Sequence, residues 1–156
     1  MVNLRPVAFV TAVFTVVCFV LSGLTVFAQP DVSASCAALM VAETGELIYG
    51  KNEHDRRSMA STTKIMTSLL AIEALTPQRK ITVSADMLNV EGTSMGLLPG
   101  DTVTLEGLVY GMLLQSGNDA ANVTAITLGG NVENFVSMMN KRAGEIGMND
   151  THFETP

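Results

Sequence analysis

The sequence predicts an α+β fold: one β-hairpin followed by four helices. Three observations predict it. Two short apolar stretches flank a glycine-containing turn. Beyond residue 60 the apolar residues recur at the three- and four-residue spacing of helices. Proline or glycine then punctuates each periodic stretch.

The chain opens with Arg5, then an uncharged run from Val7 to Val20, then Val26-Phe27-Ala28. That is the order of a positive segment, an apolar segment and a small-residue cleavage site. Residues 1–28 are therefore expected to be a signal peptide cut after Ala28, with 29–156 as the folded domain. The alternative is an uncleaved anchor; the run is short for the ~20 residues of a span, though Leu21 to Phe27 extend it. Cys18 leaves with the leader and Cys36 remains alone, so no internal disulfide forms in an oxidising destination. Cys36 is expected to be a small buried residue.

Residues 35–42 and 46–50 are the hairpin strands, with Gly45 supplying the positive φ of the turn. Lys51 to Ser58 is polar and makes a surface connection. From Ser61 to Leu75, Ile65, Met66, Leu69, Leu70, Ile72, Ala74 and Leu75 cover most of a helix circumference, which predicts a core-buried helix ended by Pro77. Glu91-Gly92 and Pro99-Gly100 mark residues 81–100 as loops and short pieces. Thr104 caps a helix over Leu105–Leu114, broken by Ser116-Gly117. Asn118–Leu128 is the next helix, ended by Gly129-Gly130. Asn131 caps the last, which runs through Ile146 to Gly147. A two-stranded hairpin is too little sheet for a stable layer, so this is half of an α+β layer architecture.

The chain is 47% hydrophobic and 15% charged, which excludes a disordered tail. Its net charge of −6 repels nucleic acid, so none is expected as a partner. The ten methionines are core filler rather than metal ligands, and neither His54 nor His152 needs a role. No metal or cofactor is expected.

Chemistry enters at Ser61-Thr62-Thr63-Lys64. A serine hydroxyl is a poor nucleophile until a base takes its proton. Residues i and i+3 of a helix share a face about 5–6 Å apart at Cβ, so Lys64 reaches back to Ser61. Burial favours the neutral amine that this needs. The positive end of the helix and the Ser61 backbone N–H suit an oxyanion. In isolation the same four residues also read as a capping serine and a solvated lysine. Ser116-Gly117-Asn118 likewise reads, alone, as a polar turn with an asparagine cap.

Together the two motifs are those of penicillin-binding proteins and serine β-lactamases. Arg57 to Thr67, Gly92 to Leu97, Pro99-Gly100-Asp101, Leu108 to Ala121 and Met148 to Phe153 resemble stretches of the serine D-alanyl-D-alanine carboxypeptidases. The resemblance runs from about residue 35 to Pro156. It implies the DD-peptidase/serine β-lactamase-like fold. It implies that Ser61 attacks the carbonyl between two D-alanines of a peptidoglycan stem peptide, Lys64 acts as general base, Ser116 relays the proton and Asn118 holds the substrate amide. β-Lactams are the implied inhibitors. The implied place is outside the cytoplasm, in the periplasm or cell-wall space, with peripheral association at the outer membrane face as one arrangement. Gly117, where class A β-lactamases carry Asp, favours the carboxypeptidase branch.

The family's third motif, K-T-G on a sheet strand, is absent from these 156 residues. The expectation is an incomplete DD-peptidase domain lacking its C-terminal strands, with little or no turnover of its own and with apolar helix surface left open. Two alternatives stand beside it. One is a β-lactamase fragment. The other is a short exported protein that binds peptidoglycan or β-lactams without turnover.

Overall fold

The computed structural model describes Pro30, residues 32–74 and residues 76–156, so the expected signal peptide lies outside the described residues. The chain divides into two compact units, one ending at Asp55 and one spanning Arg56–Pro156. No helix among the described residues is long and apolar enough to cross a membrane.

The first unit is the expected hairpin. Strand β1 (Ala37–Met40) pairs antiparallel with β2 (Leu47–Lys51), from Ala37 opposite Lys51 to Met40 opposite Leu47, with a register shift between Leu39 and Met40. Gly45 turns the chain at φ 72°, and its N–H donates to the Val41 carbonyl at 2.8 Å. The Lys51 ammonium donates to the Val32 carbonyl at 2.6 Å and ties the incoming segment to β2. Cys36 is only half-buried, not buried as expected, because two strands leave one face of the ribbon open.

The second unit holds four helices: α1 (Thr63–Glu73), α2 (Leu105–Gln115), α3 (Asn118–Gly129) and α4 (Val132–Glu145). The local signals act as read. Thr104 Oγ1 accepts from the Gly107 N–H at 3.0 Å, and Asn131 Oδ1 accepts from the Asn134 N–H at 2.7 Å. Gly130 at φ 79° and Gly147 at φ 82° end α3 and α4 in the left-handed conformation that glycine adopts without a Cβ penalty.

Helix α3 is the centre of this unit: Asp119 to Ala125 are all buried. Its small residues let neighbours pack on several sides. Ala120, Ala121 and Val123 join Leu105, Leu108 and Met112 of α2 in one apolar cluster. Ala125 joins Met66 of α1, Phe135, Met139 and Ala143 of α4, and Phe153 in another. Gly129 is needed for the α3–α4 contact, since a Cβ there would stand 2.7 Å from the Phe135 backbone nitrogen. Asn140 of α4 pairs with the Phe153 backbone in both directions, each bond 2.8 Å, and fixes the final segment.

Residues 81–100 are loops and short pieces, as read. Two three-residue strands, β3 (Lys80–Thr82) and β4 (Thr102–Thr104), pair antiparallel around them, with Ile81 opposite Val103. Strands this short and this far apart in the chain carry too little periodicity to be seen in sequence. The expectation of a first helix buried nearly all round is corrected. Its buried residues include Lys64, Thr67, Ser68 and Ala71 on one face, while Ile65 and Ile72 are 62% and 60% exposed. The helix packs against α2 and α3 on the side that carries these buried residues and Met66, and Ile65 and Ile72 lie on its open side.

Candidate active site

The site is built where the start of α1 meets the turn between α2 and α3. Ser61 lies in a short 3₁₀ turn, Ala60–Thr62, that feeds directly into α1. Ala60 has φ 45°, a left-handed backbone for a residue with a Cβ. Such residues cost of order 1–3 kcal/mol and persist where surrounding structure over-determines them, often at functional sites. Here the unusual conformation sits beside the proposed nucleophile, and nothing in the sequence signalled it.

Ser116 ends α2, also in the left-handed conformation, at φ 55°. Its hydroxyl donates to Ser61 Oγ at 2.7 Å across 55 positions of sequence. Lys64, the next helical position on the Ser61 side, is 6% exposed. Burial pulls its ammonium pKa below the usual lysine value, because the charged form loses hydration. Asn118 opens α3, and its side-chain amide donates to the Glu91 carbonyl at 2.6 Å. Ser61, Lys64 and Asn118 line one cleft of about 470 Å³, together with Val90, Asn122 and Thr155. All four residues named from sequence thus meet at one place. Asn122, one helical turn beyond Asn118, was not named; its amide donates to the Met87 carbonyl at 2.8 Å.

The segment 91–97 packs on the α2–α3 turn without forming regular structure. Thr93 donates through Oγ1 to the Ser116 carbonyl at 2.5 Å, and its own carbonyl accepts from the Asn118 N–H at 2.7 Å. Asp119 holds the rest. It accepts from Ser94 Oγ at 2.6 Å and from the N–H groups of Met95, Gly96 and Leu97 at 2.9, 3.1 and 3.0 Å. The Ala120 N–H adds a bond of 2.8 Å. Glycines permit the close fit: a Cβ on Gly92 would lie 2.6 Å from the Asn118 amide nitrogen, and one on Gly117 3.1 Å from the Met95 nitrogen.

Burial alone would raise the Asp119 pKa, but the hydrogen bonds from Ser94, Leu97, Met95 and Ala120 outweigh it and the net shift is downward. The folded state therefore binds fewer protons than the unfolded chain just below the ordinary carboxylate range of about 4. Stability from this group is present above that range and is lost as pH falls through the lower folded value. Denaturant titrations between pH 3 and 7 should show a shallower acid limb in Asp119→Asn than in the unaltered protein.

Residues 24–156 match the family described as D-alanyl-D-alanine carboxypeptidase. The chain belongs to the D-alanyl-D-alanine carboxypeptidase family. The carboxypeptidase DacF of Bacillus subtilis is 38% identical over 128 residues, covering 79% of this chain and 33% of that relative. The carboxypeptidase structure from Mycobacterium tuberculosis superposes with a TM-score of 0.79 at 30% identity, over 83% of this chain and 49% of that one. Penicillin binding protein 6B from Escherichia coli gives 0.77 at 34% identity, over 84% and 45%. The α+β architecture is thus that of the DD-peptidases. The chain spans about a third to a half of the length of these carboxypeptidases and penicillin-binding relatives.

Proposed function

We propose that this chain carries the Ser61 nucleophile of a serine D-alanyl-D-alanine carboxypeptidase, which acts on peptidoglycan stem peptides through an acyl-enzyme on Ser61. Little or no turnover is expected of these 156 residues, which hold no K-T-G motif. The observation that carries the reading is the 2.7 Å hydrogen bond between Ser116 and Ser61 beside a buried Lys64. Lys64, in its neutral form, takes the Ser61 proton as Ser61 Oγ bonds to the carbonyl carbon between the two D-alanines. The C–N bond then breaks, and Ser116 passes the proton to the leaving D-alanine amine. Asn118 holds the substrate amide. Water hydrolyses the ester and frees Ser61. A β-lactam presents a similar carbonyl and leaves Ser61 acylated. The leader at residues 1–28 directs the domain at 29–156 out of the cytoplasm, where this substrate lies.

The test is mass spectrometry after incubation with benzylpenicillin, alongside assay of D-alanine release from a peptide ending in D-Ala-D-Ala. An adduct on the unaltered protein that is absent in Ser61→Ala is expected. A folded protein with no adduct would overturn Ser61 as an activated nucleophile. An adduct without D-alanine release would favour binding without turnover, and rapid release of hydrolysed β-lactam would favour a β-lactamase.

A further inference from the structure

The catalytic turn 116–118 is not held by α2 and α3 alone. Ser116 stands in a left-handed conformation after the last turn of α2, and Asn118 is the first residue of α3. What also braces them is the irregular segment 91–97. That segment contributes the Thr93 bonds to Ser116 and Asn118 and the Glu91 carbonyl to the Asn118 amide. A loop without ladder bonds needs another source of fixed geometry. Its three successive N–H groups at 95, 96 and 97, with the Ser94 hydroxyl, all converge on one carboxylate. That carboxylate is 4% exposed and sits in the first turn of α3, where the helix end also favours negative charge.

We propose that Asp119 is the positioning residue of this site: it locks segment 91–97 in place and so sets the geometry of Ser116 and Asn118 against Ser61. This rests on the catalytic reading above. The chemistry specifies Asp. All five partners of the Asp119 carboxylate are donors. An asparagine would keep the shape but turn its NH₂ group toward other donors, leaving half-buried donors of the segment without an acceptor. Asp119 reaches the reacting atoms only through the loop and the turn it braces.

Asp119→Asn is therefore expected to loosen the loop without removing any catalytic group. Hydrogen exchange at the Met95, Gly96 and Leu97 amides should become fast, as should exchange at the Asn118 amide they support. The acylation rate constant at saturating β-lactam should fall about 10²-fold, the size of effect a misplaced reacting group produces, with little change in the concentration needed for saturation. Met139→Ala, which opens a cavity in the other apolar cluster, serves as a control of general destabilisation. It should lower the melting temperature while keeping the acylation rate constant and the protection of 95–97.

The proposal is overturned if Asp119→Asn acylates within about threefold of the unaltered protein, if its 95–97 amides stay protected, or if Met139→Ala loses acylation equally. Should the unaltered protein form no adduct, the catalytic reading fails separately. The exchange data then decide the clamp alone: lost protection at 95–97 and 118 upholds it, and retained protection overturns it.

Discussion

Lys64→Met should leave Ser61 essentially unacylated and at the same time make the protein more stable. Both halves follow from one placement. Lys64 is buried on the face of α1 that packs against the other helices, beside Thr67 and Ser68, and burial lowers its pKa. The folded state thus binds fewer protons at this site than the unfolded chain between the lowered value and the ordinary lysine value near 10.4. By linkage, stability rises with pH across that window. Below it the fold carries the cost of a charge taken out of water. Methionine has similar length and no charge, so it relieves that cost and flattens the dependence. It also removes the base, a loss of about 10²–10⁴-fold in acylation rate where proton transfer is part of the barrier. The checks are the melting temperature at pH 7 and 9 and the acylation rate over the same range. In the unaltered protein the rate should rise with pH as Lys64 loses its proton, and that limb should vanish in Lys64→Met. A variant that is less stable and still acylates would remove Lys64 from the mechanism.

The largest stability loss is expected at Phe135. It is fully buried, the largest such side chain, and packs with Met66 of α1, Ala125 of α3, Met139, Ala143 and Phe153. The α3–α4 turn closes against its backbone at Gly129. The surrounding helices cannot collapse into the space without breaking that contact. Phe135→Ala should therefore cost about 3–5 kcal/mol, the sum of lost transfer energy and an unfilled cavity. Domains of this size have about 5–15 kcal/mol in all, so the urea midpoint should fall by a large fraction. A change below about 1 kcal/mol would mean that α4 does not pack as described.

How much of this was legible in the sequence depended on distance along the chain. Thr104 and Asn131 announce their helices because a cap involves residues three apart. Gly45, Gly130 and Gly147 mark turns because positive φ is a property of one residue. The spacing of Ser61 and Lys64 was legible for the same reason, being that of one helical turn, although alone it fitted a capping serine and a solvated lysine equally. Ser116 and Asn118 were readable only as a second motif of one family, since nothing local says what they face.

Tertiary structure decided the rest. It brings the Ser116 hydroxyl to 2.7 Å from Ser61. It selects which face of α1 is covered, burying Lys64, Thr67 and Ser68 while leaving Ile65 and Ile72 open, against what hydrophobicity alone suggested. It pairs β3 with β4 across the intervening loop. It also gives Asp119 its work: an acidic residue after Ser-Gly-Asn carries no local sign that its partners lie in an irregular segment more than twenty positions upstream. The sequence by itself determined the helices, the hairpin turn and the one-turn spacing of Ser61 and Lys64, because those are interactions between near neighbours. Only the folded chain determined the meeting of α1 with the α2–α3 turn and the loop that braces it, because hydrogen bonds between distant residues leave no periodicity to read.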